Sequence, residues 1–531
     1  MHRTPLVVLL IALTTSLQGS AHAASPQPQA TSRTAADLAP LHNDFNGDGF
    51  SDMAASAPFD SVGSVGGAGA VNVIYGSSAG LAATGNQVWS QNSPGILDTA
   101  EVDDHFGDFI TAGDFNGDGF DDLAVGTDGE DVGAIRDAGV VNVIYGSAAG
   151  LTPTGNQLWS QNSPGILDSA ETGDAFGLFM IGGDFNGDGF DDLSATGAFE
   201  DVGTVADAGA ANVIYGSAAG LSATGNQLWS QNSPGILDAA ETSDFFGFDT
   251  NQGDFNGDGF DDVVYADEGE DVGTIADAGA ANAIYGSAAG LSATGNQFWT
   301  QDSPGIINTS EASDFFGFGS ATGDFNGDGF TDVALPASGE DGPTLADIGA
   351  VNVIYGSSAG LAAAGNQFWT QDSPGIQDAA EQSDDFGLYS GAGDFNGDGF
   401  ADLAAGAAFG EDVGTVVDAG SINVIYGSAA GLAAAGNRFW TQDSPGMLDT
   451  AEQFDNFGCA IGRGDFNGDG FEDVAICVQL EDLTVVDQGA AHVMYGTAGG
   501  LGAAGNQLWS QDSPGIKDIG EVGDNFGWSI G

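Results

Sequence analysis

Cationic side chains are nearly missing from this chain. Six Lys plus Arg stand among 531 residues against 76 Asp plus Glu, for a formal net charge of −70 at pH 7. A surface of that sign repels nucleic acid and anionic lipid and attracts metal ions or cationic partners; no nucleic-acid partner is expected. Histidine is also scarce. His42, His105 and His492 are the three beyond the first 23 residues, at unrelated positions, so neither a His-based triad nor a zinc cluster assembles. The apolar run Leu6–Leu17 is too short to span a bilayer and nothing later approaches one, so no membrane insertion is expected. A sustained 3.6-residue apolar period is missing too, which predicts that helices are nearly absent. Cysteine is limited to Cys459 and Cys477. Two cysteines cannot frame a disulfide scaffold, but they lie nine residues either side of Gly468, where a hairpin is expected. A cross-strand disulfide and a pair of buried thiols both remain open there.

What the chain has in abundance is repetition. The phrase D-F-N-G-D-G-F-x-D occurs seven times, starting at Asp44, Asp114, Asp184, Asp254, Asp324, Asp394 and Asp465; the first six starts are 70 residues apart and the last step is 71. Length alone would suggest several domains, but a fixed period points to one array of a single unit. Each phrase offers hard oxygens at positions 1, 3, 5 and 9, the main-chain carbonyl of position 7, and Gly at position 6 for a tight turn. Calcium takes that set. The candidate ligands are Asp44, Asn46, Asp48, Phe50 and Asp52 in the first loop; Asp114, Asn116, Asp118, Phe120 and Asp122 in the second; Asp184, Asn186, Asp188, Phe190 and Asp192 in the third; and Asp254, Asn256, Asp258, Phe260 and Asp262 in the fourth. The fifth supplies Asp324, Asn326, Asp328, Phe330 and Asp332, the sixth Asp394, Asn396, Asp398, Phe400 and Asp402, and the seventh Asp465, Asn467, Asp469, Phe471 and Asp473. An EF-hand needs Glu at position 12, where this chain has Ala55, Val125, Ala195, Tyr265, Leu335, Ala405 and Ile476. Metal-free Asx turns are the other reading, but three clustered carboxylates repel one another. Seven structural Ca²⁺ ions, about one per loop, are the expectation.

One unit reads as four short strands. In the second, Phe106–Ala112 is apolar, Leu123–Gly126 resumes after the loop, Val140–Tyr145 is β-branched, and Asn156–Gln161 precedes the turn Ser163-Pro164-Gly165. Seven such units predict an all-β fold: a seven-bladed β-propeller of four-stranded antiparallel blades. The first loop has no Phe-Gly strand before it, while Phe526–Gly531 stops where an eighth loop would start. The C-terminal Phe-Gly strand is therefore expected to join the first blade and close the ring, hiding the edges that an open solenoid would have to cap. A monomeric propeller over 41–531 is expected.

The Phe-Gly pair, the D-x-N-x-D-G-x-x-D loop that follows it and the next Asp-Leu-Ala-type strand resemble the FG-GAP repeats of integrin α-subunit propellers and of bacterial integrin-like secreted proteins. That resemblance covers about residues 41 to 531. It implies calcium in the loop between the first and second strands of a blade, and ligand binding on the opposite face. Integrin propellers usually keep fewer intact loops than the seven here.

The N-terminus reads as a secretory signal peptide, residues 1–23, with Arg3, an apolar stretch and the cleavage signal Ala21-His22-Ala23. Residues 24–40 read as a flexible linker. A secreted or cell-surface location follows. Three other signals are discounted. Arg463-Gly464-Asp465 spells RGD, but its Asp opens the seventh loop. Gly76-Ser77-Ser78-Ala79-Gly80 fits a nucleophile elbow, yet Ala148 and Ala218 replace Ser78 in the next units. Trp89, Trp159, Trp229, Trp299, Trp369, Trp440 and Trp509 recur once per unit and are expected to pack between blades rather than stack on a ligand.

Away from the loops, carboxylates recur as Glu130-Asp131, Asp137, Asp168, Glu171 and Asp174, with sister sets such as Glu270-Asp271, Asp277, Glu311 and Asp314. These predict an acidic face suited to a cationic partner, to additional divalent ions, or simply to solvent. The leading expectation is a calcium-stabilised recognition or adhesion propeller that binds a protein or glycan through that face, and not an enzyme. The rival is a polysaccharide lyase, since some lyases also resemble calcium-loop propellers. Such chemistry needs cationic side chains and a base, and beyond the leader and linker only Arg136, Arg438, Arg463 and Lys517 are available. A purely structural envelope or matrix component is a third possibility.

Overall fold

The computed structural model describes residues 43–531 and, before them, only the backbone of Leu13–Thr14. The expected leader and linker otherwise lie outside the described residues. Those described contain no helix, and so none long and apolar enough to cross a membrane.

Seven sheets follow one another along the chain: six are four-stranded antiparallel blades, and the first is a four-stranded antiparallel blade with a fifth, parallel strand at its edge. In the second blade the strands are Ile110–Gly113, Asp122–Thr127, Val140–Tyr145 and Thr152–Trp159. Their order in the sheet is their order in the chain, so each blade is a meander. The fourth strand starts earlier than the residue pattern indicates. Tyr145 pairs with Thr152 and Val143 with Gln157, a register shift that accommodates the left-handed Gly155 at φ 82°. A polar stretch carrying a bulge hides a strand from an alternation pattern.

The ring closes as expected. Ser529–Ile530 joins the sheet of Met53–Ala57, with Ile530 opposite Ala55. Gly531 N–H donates to the Ala54 carbonyl (2.9 Å) and Ala54 N–H donates back (2.7 Å). Leu13–Thr14 pairs in parallel along the other side of Ser529–Ile530.

The core lies between blades. Phe45, Val71, Val73 and Trp89 of the first blade pack with Phe106, Ile110, Leu123 and Leu151 of the second. Trp89, Trp229 and Trp299 are buried and the other repeated tryptophans are partly so, consistent with packing between blades. Near the axis, Phe109, Phe179, Phe248, Phe318 and Tyr389 form a chain of ring contacts with centroids 5.0 to 6.2 Å apart. Phe179 also reaches Phe318, two blades on, at 6.4 Å, so aromatic rings fill the axis at that level.

Cys459 and Cys477 form a disulfide across the first two strands of the seventh blade, with Cα atoms 5.3 Å apart. Of the two readings left open, the disulfide is the one formed, and an irregularity in the ladder makes room for it. The regular ladder pairs Ile461 with Ile476, which alone would set Cys477 opposite Ala460. The shift before Phe457↔Val478 draws the chain back and brings Cys459 across from Cys477.

Candidate metal centres

Each Asp-rich loop joins the first and second strands of its blade, and its conformation follows from the residues themselves. In the second blade both carboxylate oxygens of Asp114 accept main-chain N–H groups from within the loop: Asp118 on Oδ1 (3.0 Å) and Gly119 on Oδ2 (2.9 Å). Asp118 Oδ1 accepts from Phe120 N–H (3.2 Å). Asp122 lies at the base, fully buried. It accepts from Phe115 N–H (3.1 Å), from Gly146 N–H (2.8 Å) and from the Asn116 amide. Burial thus grades from the exposed Asp118 at the loop tip, through half-buried Asp114, Asn116 and Phe120, to Asp122 beneath them. The fourth residue must be Gly. Gly117 has φ 70°, and a Cβ there would stand 2.5 Å from the ring of Phe190 in the next loop.

That contact is one of several rings that run round the face. The carbonyl of position 1 accepts the N–H of position 8 in the next loop in all seven cases, from Asp121→Asp44 to Ser51→Asp465, at 2.9 to 3.2 Å. Position 8 often answers with its side chain: Asp121, Asp191 and Asp261 accept the position 1 N–H of Asp44, Asp114 and Asp184, and Glu472 accepts that of Asp394. The loops are therefore both cages and latches. Position 8 was not singled out from the sequence because its residue type varies.

The electrostatics fit a cation. Burial, opposed by the main-chain donors and reinforced by the carboxylates at positions 1 and 5, pushes Asp52, Asp122, Asp192 and Asp473 up to about 9, and Asp262, Asp332 and Asp402 to about 8. No cationic side chain is among the groups acting on them. The candidate donor set of three carboxylates, an amide oxygen and a main-chain carbonyl is all oxygen, as calcium requires; here Asn116 turns its amide nitrogen onto Asp122, whose two oxygens each accept two N–H groups, so an ion bound there would take the place of that amide contact. Arg463, the Arg of the RGD triplet, is buried and ion-paired with Glu472 (3.6 Å), which removes it from the surface.

The opposite face carries the loops after the second and fourth strands. At the head of the second blade, Glu130 meets Asp98, Glu101 and Asp104, which together with burial push it up to about 8. Equivalent clusters stand on the other blades. Among the described residues, three carboxylates with oxygens all within 4.8 Å of one another occur on this face, as Glu452, Asp455 and Glu481, and as Asp60, Glu521 and Asp524. In the seven loops, by contrast, carboxylates turned onto main-chain N–H groups are not drawn that close. A residue missed by sequence reasoning sits under each cluster: Gln91, Gln161, Gln231, Gln301, Gln371, Gln442 and Gln511 are at most 2% exposed. The signal was available, since each opens the repeated Gln-Asn/Asp-Ser-Pro-Gly turn.

A closed ring of seven four-stranded blades, each with an Asp-rich loop after its first strand, defines a repeat β-propeller. Four of its units match the FG-GAP repeat, at residues 106–144, 316–354, 386–421 and 457–494, and each match runs from a Phe-Gly pair to the third strand. The chain is a seven-bladed β-propeller that carries FG-GAP repeats. It is similar to phosphatidylinositol-glycan-specific phospholipase D of Rattus norvegicus (32% identity over 157 residues, 29% of this chain and 17% of that protein) and of Bos taurus (30% over 163 residues, 30% and 18%). The chain thus spans less than a fifth of the length of these relatives. Among solved structures it resembles a rhamnogalacturonan lyase of Bacillus licheniformis (TM-score 0.34, 11% identity, 81% of this chain and 65% of that one). An exotype rhamnogalacturonan lyase gives 0.37 at 12% identity, over 83% and 69%. Likeness at that level carries no argument about chemistry.

Proposed function

We propose that this chain is an exported recognition or adhesion propeller, stabilised by calcium in its seven Asp-rich loops, that binds a protein or glycan through the acidic face opposite them. The observation that carries the reading is the loop geometry. In all seven blades a buried position 9 carboxylate feels the carboxylates at positions 1 and 5 of its loop, and the same loop is tied to the next blade. An ion bound there stabilises its own hairpin and, through the position 1 to position 8 bonds, the ring. The disulfide between Cys459 and Cys477 supports an oxidising, extracellular setting.

Binding is favoured over a lyase activity by the placement of the four cations outside the leader and linker. Arg463 is committed to Glu472, while Arg136, Arg438 and Lys517 are exposed and lie on different parts of the ring. They do not converge as neutralising a polyanionic sugar would demand. The test is a screen of the calcium-loaded chain on immobilised glycans and cell-surface proteins, run beside an assay for cleavage of rhamnogalacturonan and other acidic polysaccharides. Saturable binding that weakens when acidic-face carboxylates are neutralised supports the reading. Catalytic turnover of a polysaccharide would replace it with the enzyme.

A further inference from the structure

We propose that the face opposite the Asp-rich loops carries a second tier of cation sites, in which carboxylates from the two loops at the head of a blade and the side-chain carbonyl of a buried glutamine hold a hard divalent ion of the calcium class. The two best-formed sites are Glu452, Asp455 and Glu481 with Gln442 on the seventh blade, and Asp60, Glu521 and Asp524 with Gln511 on the first. None of these residues belongs to the Asp-rich loops, so the inference goes beyond the calcium reading of those loops and stands apart from it.

Geometry comes first. Within each triad one oxygen from every carboxylate lies within 4.8 Å of the others. Oxygens at about 2.3–2.6 Å from a Ca²⁺ ion lie no further apart than about twice that distance, so a single ion can touch all three. The glutamine is an independent sign of a ligand. Gln442 is 1% exposed, and its amide nitrogen donates to Glu481. Its carbonyl oxygen, the other end of the amide that contacts Glu481, is buried with no hydrogen-bond partner. Gln511 is 0% exposed, donates to Asp518 (3.4 Å) beside the first-blade triad, and likewise leaves its carbonyl oxygen without a partner. All seven equivalent glutamines repeat the pattern of a buried carbonyl oxygen lacking a donor. A buried acceptor on every blade, next to carboxylates with no Lys or Arg acting on them, is what a cation would satisfy. The donors are all oxygen, which favours calcium over softer metals.

The test counts ions. The full chain is stripped with chelator, equilibrated with millimolar Ca²⁺ near pH 7.5, and assayed for bound calcium per chain by atomic emission. Glu481→Gln, Asp524→Asn and the loop variant Asp48→Asn are treated in parallel, with circular dichroism to confirm the fold. The second tier predicts that Glu481→Gln and Asp524→Asn each lose one ion, whatever the loops hold. Gln442→Met, which keeps shape and removes the carbonyl, should weaken one ion at least tenfold without changing the fold. If the cluster variants and Gln442→Met bind as many ions as the wild type, with equal affinity, the clusters are protonated acids and the proposal is overturned. Asp48→Asn reads the loops separately: loss of an ion there but not in the cluster variants leaves the loop reading standing and removes this one.

Discussion

The two faces of the ring are built from the same excess of carboxylates and use it differently. On the loop face the nine-residue phrase is nearly invariant, and its carboxylates accept main-chain N–H groups at repeated positions, as Asp114 does from Asp118 and Gly119. On the opposite face the residues vary: Asp60 stands where other blades have Glu130 or Glu200, and Asn308 replaces the Asp at 98 or 168. There carboxylates also accept main-chain N–H groups, as Asp104 does from Glu101 and Asp131 from Asp137, but they face each other and a glutamine amide as well, and the loops carry left-handed residues such as Asp98 (φ 84°) and Asn308 (φ 87°). The difference teaches that a loop tied to its neighbours by main-chain bonds and close ring contacts demands one sequence, whereas charge clusters tolerate substitution. The proposed roles divide in the same way, with ion-dependent structure on the first face and binding on the second.

The comparison can be broken or sharpened by substitution. The largest effect is expected for Asp122→Asn. It leaves the Phe115 or Gly146 N–H poorly accepted, costing about 1–3 kcal/mol, and forfeits the stabilisation by an ion, about 2.7 kcal/mol at a hundredfold excess over Kd. Calcium-dependent denaturant unfolding reads both parts. Gly117→Ala comes next, at about 2–3 kcal/mol, because the left-handed φ costs about 1–2 kcal/mol and the new Cβ meets Phe190 at 2.5 Å. Gly133, on the acidic face, has a similar φ of 72° and open space around it, so Gly133→Ala should show the conformational cost alone, about 1 kcal/mol. Equal losses at the two glycines would show that the contact between loops is idle. Asp191→Ala should cost about 1 kcal/mol through the lost bond to Asp114 N–H, and Asp131→Asn, which keeps an acceptor for Asp137 N–H, less than about 0.5 kcal/mol.

A pH series reads both faces together without mutation. Carboxylates such as Asp122 (about 9) and Glu130 (about 8) are raised in the folded chain, by burial first and then by neighbouring carboxylates. The folded state therefore holds protons that the unfolded chain has lost. Their contribution to stability is full below about pH 4 and is lost as pH rises through about 8 to 9. In chelator, the melting temperature should fall between pH 5 and 9. Calcium should flatten that slope, because a bound ion replaces the protons. A chelated protein whose stability rises over this range would contradict the assignment of these groups.

Much of this was legible because a 70-residue period repeats every error and every success seven times. The blade count, the strand order, the closing Ser529–Ile530 strand and the packing of the tryptophans all follow from it. Three details did not. The fourth strand begins at Thr152 rather than Asn156, since a bulge at Gly155 breaks the alternation that reveals strands. The equal distance of Cys459 and Cys477 from Gly468 left a disulfide and buried thiols both open, and the register shift in the ladder was needed to decide between them. The glutamines beneath the acidic clusters repeat as faithfully as the loops, but one amide in a turn announces no chemistry until its buried, unpartnered oxygen is seen.

The central claim is that the Asp-rich loops hold structural calcium, and thermal unfolding with a parallel count of bound metal tests it most directly. The account predicts a large fall in melting temperature after exhaustive chelation, recovery on adding Ca²⁺, and loss of one ion in Asp122→Asn. An unchanged melting temperature, with little calcium bound to the wild type, would contradict it and reduce the seven loops to plain turns.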